Sequence, residues 1–242
     1  AYAIRELLKD TESVFIMGHA RADVDVLGSA LGLYRAVKAL GKNAYIIIDR
    51  ENQTVVNFIK SIESEYKGVF IAKTNALDMA ERSSLLFVVD THKKSLVEEP
   101  ELLKICKRVV VIDHHRRSTD FIENPIILYH EPYASSASEL VTEVVQYIDP
   151  NIRLNQHEAE ALYAGIYMDT KSFTFKTGVR TFEAASYLRR CGVDSIKIKK
   201  LFQVDMNTFK KRLSIIENAT IIRGMIAIAA CEKNDKDMPT IV

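Results

Sequence analysis

Two stretches of this 242-residue chain, Leu85–Val89 (LLFVV) and Val109–Ile112 (VVVI), are apolar at every position. A strand with one wet face alternates apolar and polar residues. An unbroken run of this length, rich in branched side chains, suits a strand covered on both faces, the situation of a parallel sheet between layers of helix. Ser13–Met17 (SVFIM), Ala44–Ile48 and Val69–Ile71 read as further strands. The segments between read as helices: Asp25–Leu40, stopped by Gly41 just past its end, and Val55–Ile62. Strands alternating with helices argue for an α/β fold, a mainly parallel β-sheet flanked by helices.

Beyond Pro132 the pattern turns helical, with Ser135–Ile148, His157–Met168 and Thr181–Arg190, the last ended by Gly192. Residues 170–180 form a polar loop. Lys197–Ile216 reads as one charged helix, Ile221–Ala230 returns to β-like composition, and Asn234–Pro239 is a polar turn. This divides the chain into a main α/β domain over 1–192, a helical linker over 193–218, and the start of a second α/β domain over 219–242. The chain opens on Ala1 with no initiator Met, which suggests a fragment of a longer protein.

Composition narrows the classes. Lys plus Arg is 33 and Asp plus Glu is 32, a net charge of +1. Such a balance speaks against bulk-charge binding of nucleic acid, so no stable DNA or RNA partner is expected. The longest apolar run, Met225–Cys231, is far short of the ~20 residues a membrane helix needs. Cys106, Cys191 and Cys231 are widely spaced and odd in number, as thiols of a reducing compartment are.

The chemistry sits where the predicted strands end. The first strand runs into Gly18-His19-Ala20-Arg21-Ala22-Asp23-Val24-Asp25, the fourth into Asp90-Thr91-His92, and the fifth into Asp113-His114-His115-Arg116-Arg117-Ser118; a later helix ends in Asp169-Thr170. Ligands of open α/β sheets bind outside the carboxyl ends of the strands, so these groups converge on one edge. Like charges at ~4 Å repel by about 4 kcal/mol per pair at an effective dielectric near 20. Five carboxylates there require divalent cations. Ligands of Asp oxygen and His nitrogen without thiolate favour Mn²⁺ or Mg²⁺-like ions, with Fe²⁺, Co²⁺ and Zn²⁺ open. Asp25 could instead simply cap the helix that follows. His130 and His157 have no such context and read as surface or packing residues.

Taken together, four strings resemble the DHH phosphoesterase superfamily: His19-x-x-x-Asp23-x-Asp25-x-x-Gly28-Ser29, Val88-Val89-Asp90-Thr91, Asp113-His114-His115, and Gly165-Ile166-Tyr167-Met168-Asp169-Thr170. The flanks DHHRRS (113–118), EPYASS (131–136), DTKSF (169–173) and RTFEAAS (180–186) resemble the GdpP class of membrane-anchored cyclic-di-AMP phosphodiesterases. Lys176 stands where that class more often has Arg.

The resemblance implies that His19, Asp23 and Asp90 hold one metal and that Asp25, His114, Asp169 and Asp90 hold the other, with Mn²⁺ first among the candidates. It implies that His115 faces the scissile phosphate and that Asp113 orients a metal-bound His. Arg116 and Arg180 are candidate substrate contacts; Arg116 and Arg117 read equally well as a solvated loop. Tyr133 and Phe173 read either as adenine platforms or as packing. A hydroxide shared by the two metals would then open the cyclic dinucleotide to linear pApA. The alternatives are an oligoribonuclease or pAp phosphatase of the same superfamily, or a nucleotide-binding module that does not cut. A homodimer is left open; the resemblance implies a cytoplasmic catalytic domain whose membrane contact comes only through segments upstream. The resemblance also implies a second domain carrying a GGGH motif, which this chain lacks.

Overall fold

The computed structural model describes residues 1–203 and 206–229. In chain order the elements are α1 (Tyr2–Lys9), β1 (Ser13–Met17), α2 (Val24–Ala39), β2 (Asn43–Ile47), α3 (Gln53–Ile62), β3 (Phe70–Ile71), α4 (Lys73–Met79), β4 (Leu85–Val89), α5 (Pro100–Ile105), β5 (Arg108–Asp113), β6 (Ile127–His130), α6 (Ala137–Ile148), α7 (Gln156–Asp169) and α8 (Val179–Arg190). They are followed by α9 (Ser195–Leu201), α10 (Met206–Glu217), β7 (Thr220–Ile222) and β8 (Ile226–Ile228).

β1 to β6 form one parallel sheet in the order β3-β2-β1-β4-β5-β6. The predicted α/β architecture is therefore present. Because all six strands run the same way, every carboxyl end lies on one edge. The order reverses between β1 and β4, which pair directly from Val14 with Leu85 to Met17 with Val88. A crevice opens at such a reversal. Each residue of β4 is buried, as its composition requires.

On one face Phe15, Met17, Leu86, Val88, Val109 and Val111 pack with Leu102 of α5 and Ala76 of α4. α2, α6 and α7 are buried along most of their length. The α2–α7 contact is close because both helices carry glycine there. A Cβ on Gly28 would collide with the Ala161 carbonyl oxygen, and one on Gly165 would collide with Ser138 Oγ.

Several expectations need correction. The single helix expected over Lys197–Ile216 is instead two, α9 and α10, with Gln203 outside both. Strand β6 and helices α1, α4 and α5 have no counterpart among the elements expected from the sequence pattern. Thr220–Ile222 and Ile226–Ile228 form an antiparallel pair, whereas Ala230, Cys231 and the turn expected over Asn234–Pro239 lie outside the described residues. The chain divides into two compact units, Ala1–Ile198 and Lys199–Val242. Among the described residues no helix is long and apolar enough to cross a membrane.

Candidate metal centre

The β1–α2 turn carries the first donors. Asp23, not Asp25, is the N-cap of α2: its Oδ1 accepts from the backbone N–H of Asp25 (2.9 Å) and Val26 (3.1 Å). Capping occupies one oxygen and leaves Oδ2, which stands 3.8 Å from His19 Nε2. His19 donates from Nδ1 to the Ala20 carbonyl at 2.9 Å, which presents Nε2 to the edge. The turn is held from beneath by Asp49, which accepts from the backbone N–H of Arg21 and of Ala22. The sequence pattern did not mark Asp49, since nothing near it in the chain suggests a site.

Asp90 leaves β4 with a φ of +58°, while its N–H still pairs with the Ile112 carbonyl. This left-handed backbone turns the carboxylate across the edge. Oδ2 lies 3.3 Å from His19 Nε2 and Oδ1 lies 3.2 Å from His114 Nε2. One oxygen faces each side.

Beyond Asp90, His114 Nε2 is also 3.2 Å from Asp169 Oδ2 and 3.9 Å from Asp25 Oδ2. Asp25 is fully buried in the first turn of α2 and does not cap that helix. Its carboxylate instead accepts from the first two amides of α6, Ala137 N (2.7 Å) and Ser138 N (2.9 Å). A helix N-terminus favours a negative group. α6 is aimed there by its own cap, Ser136, whose hydroxyl accepts from Glu139 N, and by Glu139, which holds the hydroxyls of Ser135 and Thr181. Gly165 gives the carboxylate room, for a Cβ there would reach 2.7 Å from Asp25 Oδ1.

Electrostatics follow from this crowding. Burial and Asp90 push the Asp23 carboxyl up to about 6. Burial, then Asp90 and Asp169, pushes Asp25 well above the usual carboxylate range. Burial opposes the charged form of both imidazoles, but Asp90 lifts His19 to about 9, and Asp169 with Asp90 lifts His114 to about 11. Burial likewise opposes ionisation of Asp90, yet the two histidines hold it below its ordinary value. Asp90 Oδ1 and His114 Nε2 are buried, close, and without hydrogen-bond geometry to any described partner. Oxygen and imidazole donors gathered within reach of one another, as His19/Asp23/Asp90 and Asp25/His114/Asp169 are, fit a pair of divalent cations.

Asp113 is placed otherwise than expected. It does not touch the His114 ring. Its Oδ1 accepts from His114 N, His115 N and His115 Nδ1 (2.8 Å), and its Oδ2 pairs with His92 Nδ1. The imidazole it orients is therefore that of His115, together with His92. His130, read as surface or packing, packs: its Nε2 donates to the His115 carbonyl at 2.6 Å and its ring meets His92 edge-on. His157 pairs with Glu65 at 3.0 Å.

The remaining candidates separate. His115, Arg116 and Arg117 are exposed on the loop after β5, and Arg117 lies over the Phe121 ring. Arg180 is tied elsewhere, its Nε and Nη2 donating to both oxygens of Glu143 at 2.6 Å and Nη2 also to Tyr129. Phe173 packs among Tyr163, Tyr167 and Phe182, whereas Tyr133 is 94% exposed. Lys176 is exposed, with a φ of +50°.

Residues 13–166 match the family described as DHH family, N-terminal domain. The chain belongs to the DHH family. It is 40% identical over 242 residues to the cyclic-di-AMP phosphodiesterase GdpP of Bacillus subtilis (strain 168), covering 98% of this chain and 37% of that protein. It is 41% identical over 245 residues to the cyclic-di-AMP phosphodiesterase PdeA of Listeria monocytogenes serotype 1/2a (strain 10403S), covering 99% and 37%. The chain thus spans little more than a third of the length of these curated relatives. An exopolyphosphatase-related protein from Bacteroides fragilis shares the fold, with a TM-score of 0.75 at 20% identity over 91% of this chain and 65% of that one.

Proposed function

We propose that this DHH domain hydrolyses cyclic-di-AMP to linear pApA with two divalent cations, Mn²⁺ first among them. The observation that carries the reading is Asp90, whose two oxygens face two separate sets of donors. The names of the GdpP and PdeA relatives supply the substrate. His19 and Asp23 with Asp90 would hold one cation, and Asp25, His114 and Asp169 with Asp90 the other. Bound there, the pair would supply acidified water and offset charge on the phosphoryl group.

The chain's own groups do the rest. His115, held by Asp113 and half exposed, would donate a hydrogen bond to the phosphoryl oxygens as charge grows on them. Its neighbour Asp113, through their hydrogen bond, raises its proton affinity above that of an ordinary imidazole. Arg116 adds positive charge on the same loop, and Arg180 is retained as a substrate contact through donors other than those given to Glu143 and Tyr129. By analogy with the relatives we place the domain on the cytoplasmic side of a membrane anchor.

The test is a product profile. The chain, with Mn²⁺, is given cyclic-di-AMP, pApA and pAp side by side. Chelator-sensitive release of pApA from cyclic-di-AMP supports the reading; turnover of pApA or pAp alone moves it to oligoribonuclease or phosphatase chemistry, and turnover of none overturns it.

A further inference from the structure

His92 lies two residues past Asp90, is 4% exposed, and has both ring nitrogens engaged. Nε2 receives the backbone N–H of Ser118 at 3.0 Å. A backbone amide can only donate, so Nε2 carries a lone pair and the ring proton sits on Nδ1. From there it donates to Asp113 Oδ2. The His92 backbone is held by Ile122 N donating to its carbonyl (2.8 Å), and the ring by His130 packed edge-on at 5.1 Å.

Asp113 Oδ1 is already committed to two backbone amides and to His115 Nδ1. Those contacts fix one oxygen but leave the carboxylate plane to rotate about it. The bond from His92 to Oδ2 removes that freedom. His115 is half exposed; its ring meets the His114 ring at 4.4 Å and stands 3.6 Å from Asp90 Oδ1, but its ring hydrogen bond is to Asp113, so its direction follows the plane of that carboxylate. The Ser118 tie also closes the 113–118 loop on the same imidazole. With both nitrogens used internally, His92 is not a metal ligand, even though it lies close to Asp113 and His130.

Resting on the reading of His115 as the group that faces phosphate, we infer that His92 is a positioning residue, a single fixed tautomer that sets Asp113 and through it aims His115. Its substitution changes how well the phosphoryl group is met, and leaves the metal content alone.

Five variants test this: His92→Ala, His92→Asn, His92→Gln, His115→Ala, and His92→Ala combined with His115→Ala. Removing an outer partner of this kind costs about 10–100-fold. His92→Ala is expected to lose that much in kcat, with KM and the count of two bound cations unchanged. The amide nitrogen of Asn takes the place of Nδ1, so His92→Asn recovers most of the rate. Gln places its amide at Nε2 and does not. The double variant is no slower than His115→Ala, because two residues acting through one contact do not add. Additive losses, equal behaviour of Asn and Gln, or loss of metal would overturn the inference. Long-range ¹H–¹⁵N spectra of the Mg²⁺-loaded chain give a readout free of turnover. They should show His92 protonated at Nδ1 and bare at Nε2; the opposite tautomer overturns the inference even if cyclic-di-AMP is not the substrate.

Discussion

The two sides of the centre are built differently. His19 and Asp23 come from one turn, are 21% and 28% exposed, and owe their places to local bonds: a helix cap, a carbonyl one residue away, and Asp49 beneath. Asp25 and His114 are 0% and 3% exposed. Their side draws on α2, the β5 exit, the α6 N-terminus and the α7 C-terminus, segments far apart in the chain. A locally built side can lose its cation while the fold stands. A side made by packing cannot be altered without disturbing helices. Asp90 alone belongs to both.

The largest expected effect follows from that sharing. Asp90→Asn should remove activity by about a thousandfold or more, the upper end for loss of a single charge-stabilising group, and lower metal content on both sides. Elemental analysis finding two full cations in an active variant would break the comparison at its centre.

His115 stands 3.6 Å from Asp90 Oδ1 and within ligand reach of Asp90 and His114, yet is proposed to face phosphate and not to hold a cation. His115→Ala should lose about 10²–10³ in kcat and still bind two cations. If metal falls with rate, the separation of His114 from His115 is wrong.

A matched pair of substitutions separates local from packed construction. Asp23→Asn keeps a good helix cap, so stability should change little while one cation is lost. Asp25→Asn turns an amide N–H toward the amides of α6 and leaves a buried donor unsatisfied, which costs about 1–3 kcal/mol. Urea denaturation of both, freed of metal, checks this; equal losses would show that the two sides are built alike.

The smallest effect is a dependence on pH in the metal-free chain. Against the opposing pull of burial, Asp169 with Asp90 lifts His114 to about 11, which adds a loss of the same sign as pH rises, and Asp90 lifts His19 to about 9. The stability this contributes is fully present below the unfolded value of about 6.5 and is lost as pH rises through 9. Asp23, raised to about 6, is already ionised by neutrality and does not titrate in this window. The melting temperature of the chelated protein should therefore fall by a few degrees between about pH 7 and 9.5, and saturating Mg²⁺ should abolish the fall. A flat profile without metal would mean that His19 and His114 both give up their protons early.

Much of this was legible in the chain. β4 and β5 announce themselves because burial on both faces leaves no polar residue in the run. Strand β6 did not, since it is a half-exposed edge strand carrying Tyr129 and His130. The donors were legible as strand-end acids and histidines, but their division of labour was not. Asp23 and Asp25 are equivalent as letters two apart; only the approach of α6, folded back from residue 137, makes one a cap and the other a buried acceptor. His92 was legible as a strand-end histidine but its role was not, for the same reason, its partners being Asp113 and Ser118.

The left-handed backbone at Asp90 has a consequence for how this domain fails. Glycine, and to a lesser degree asparagine, accept a positive φ readily; most other side chains do not. A cell carrying Asp90→Gly should therefore hold ordinary amounts of soluble but silent protein, whereas Asp90→Val should deplete the protein itself. Immunoblots of the two alleles would distinguish a broken catalyst from a missing one, and similar levels of both would show that the turn after β4 tolerates any residue.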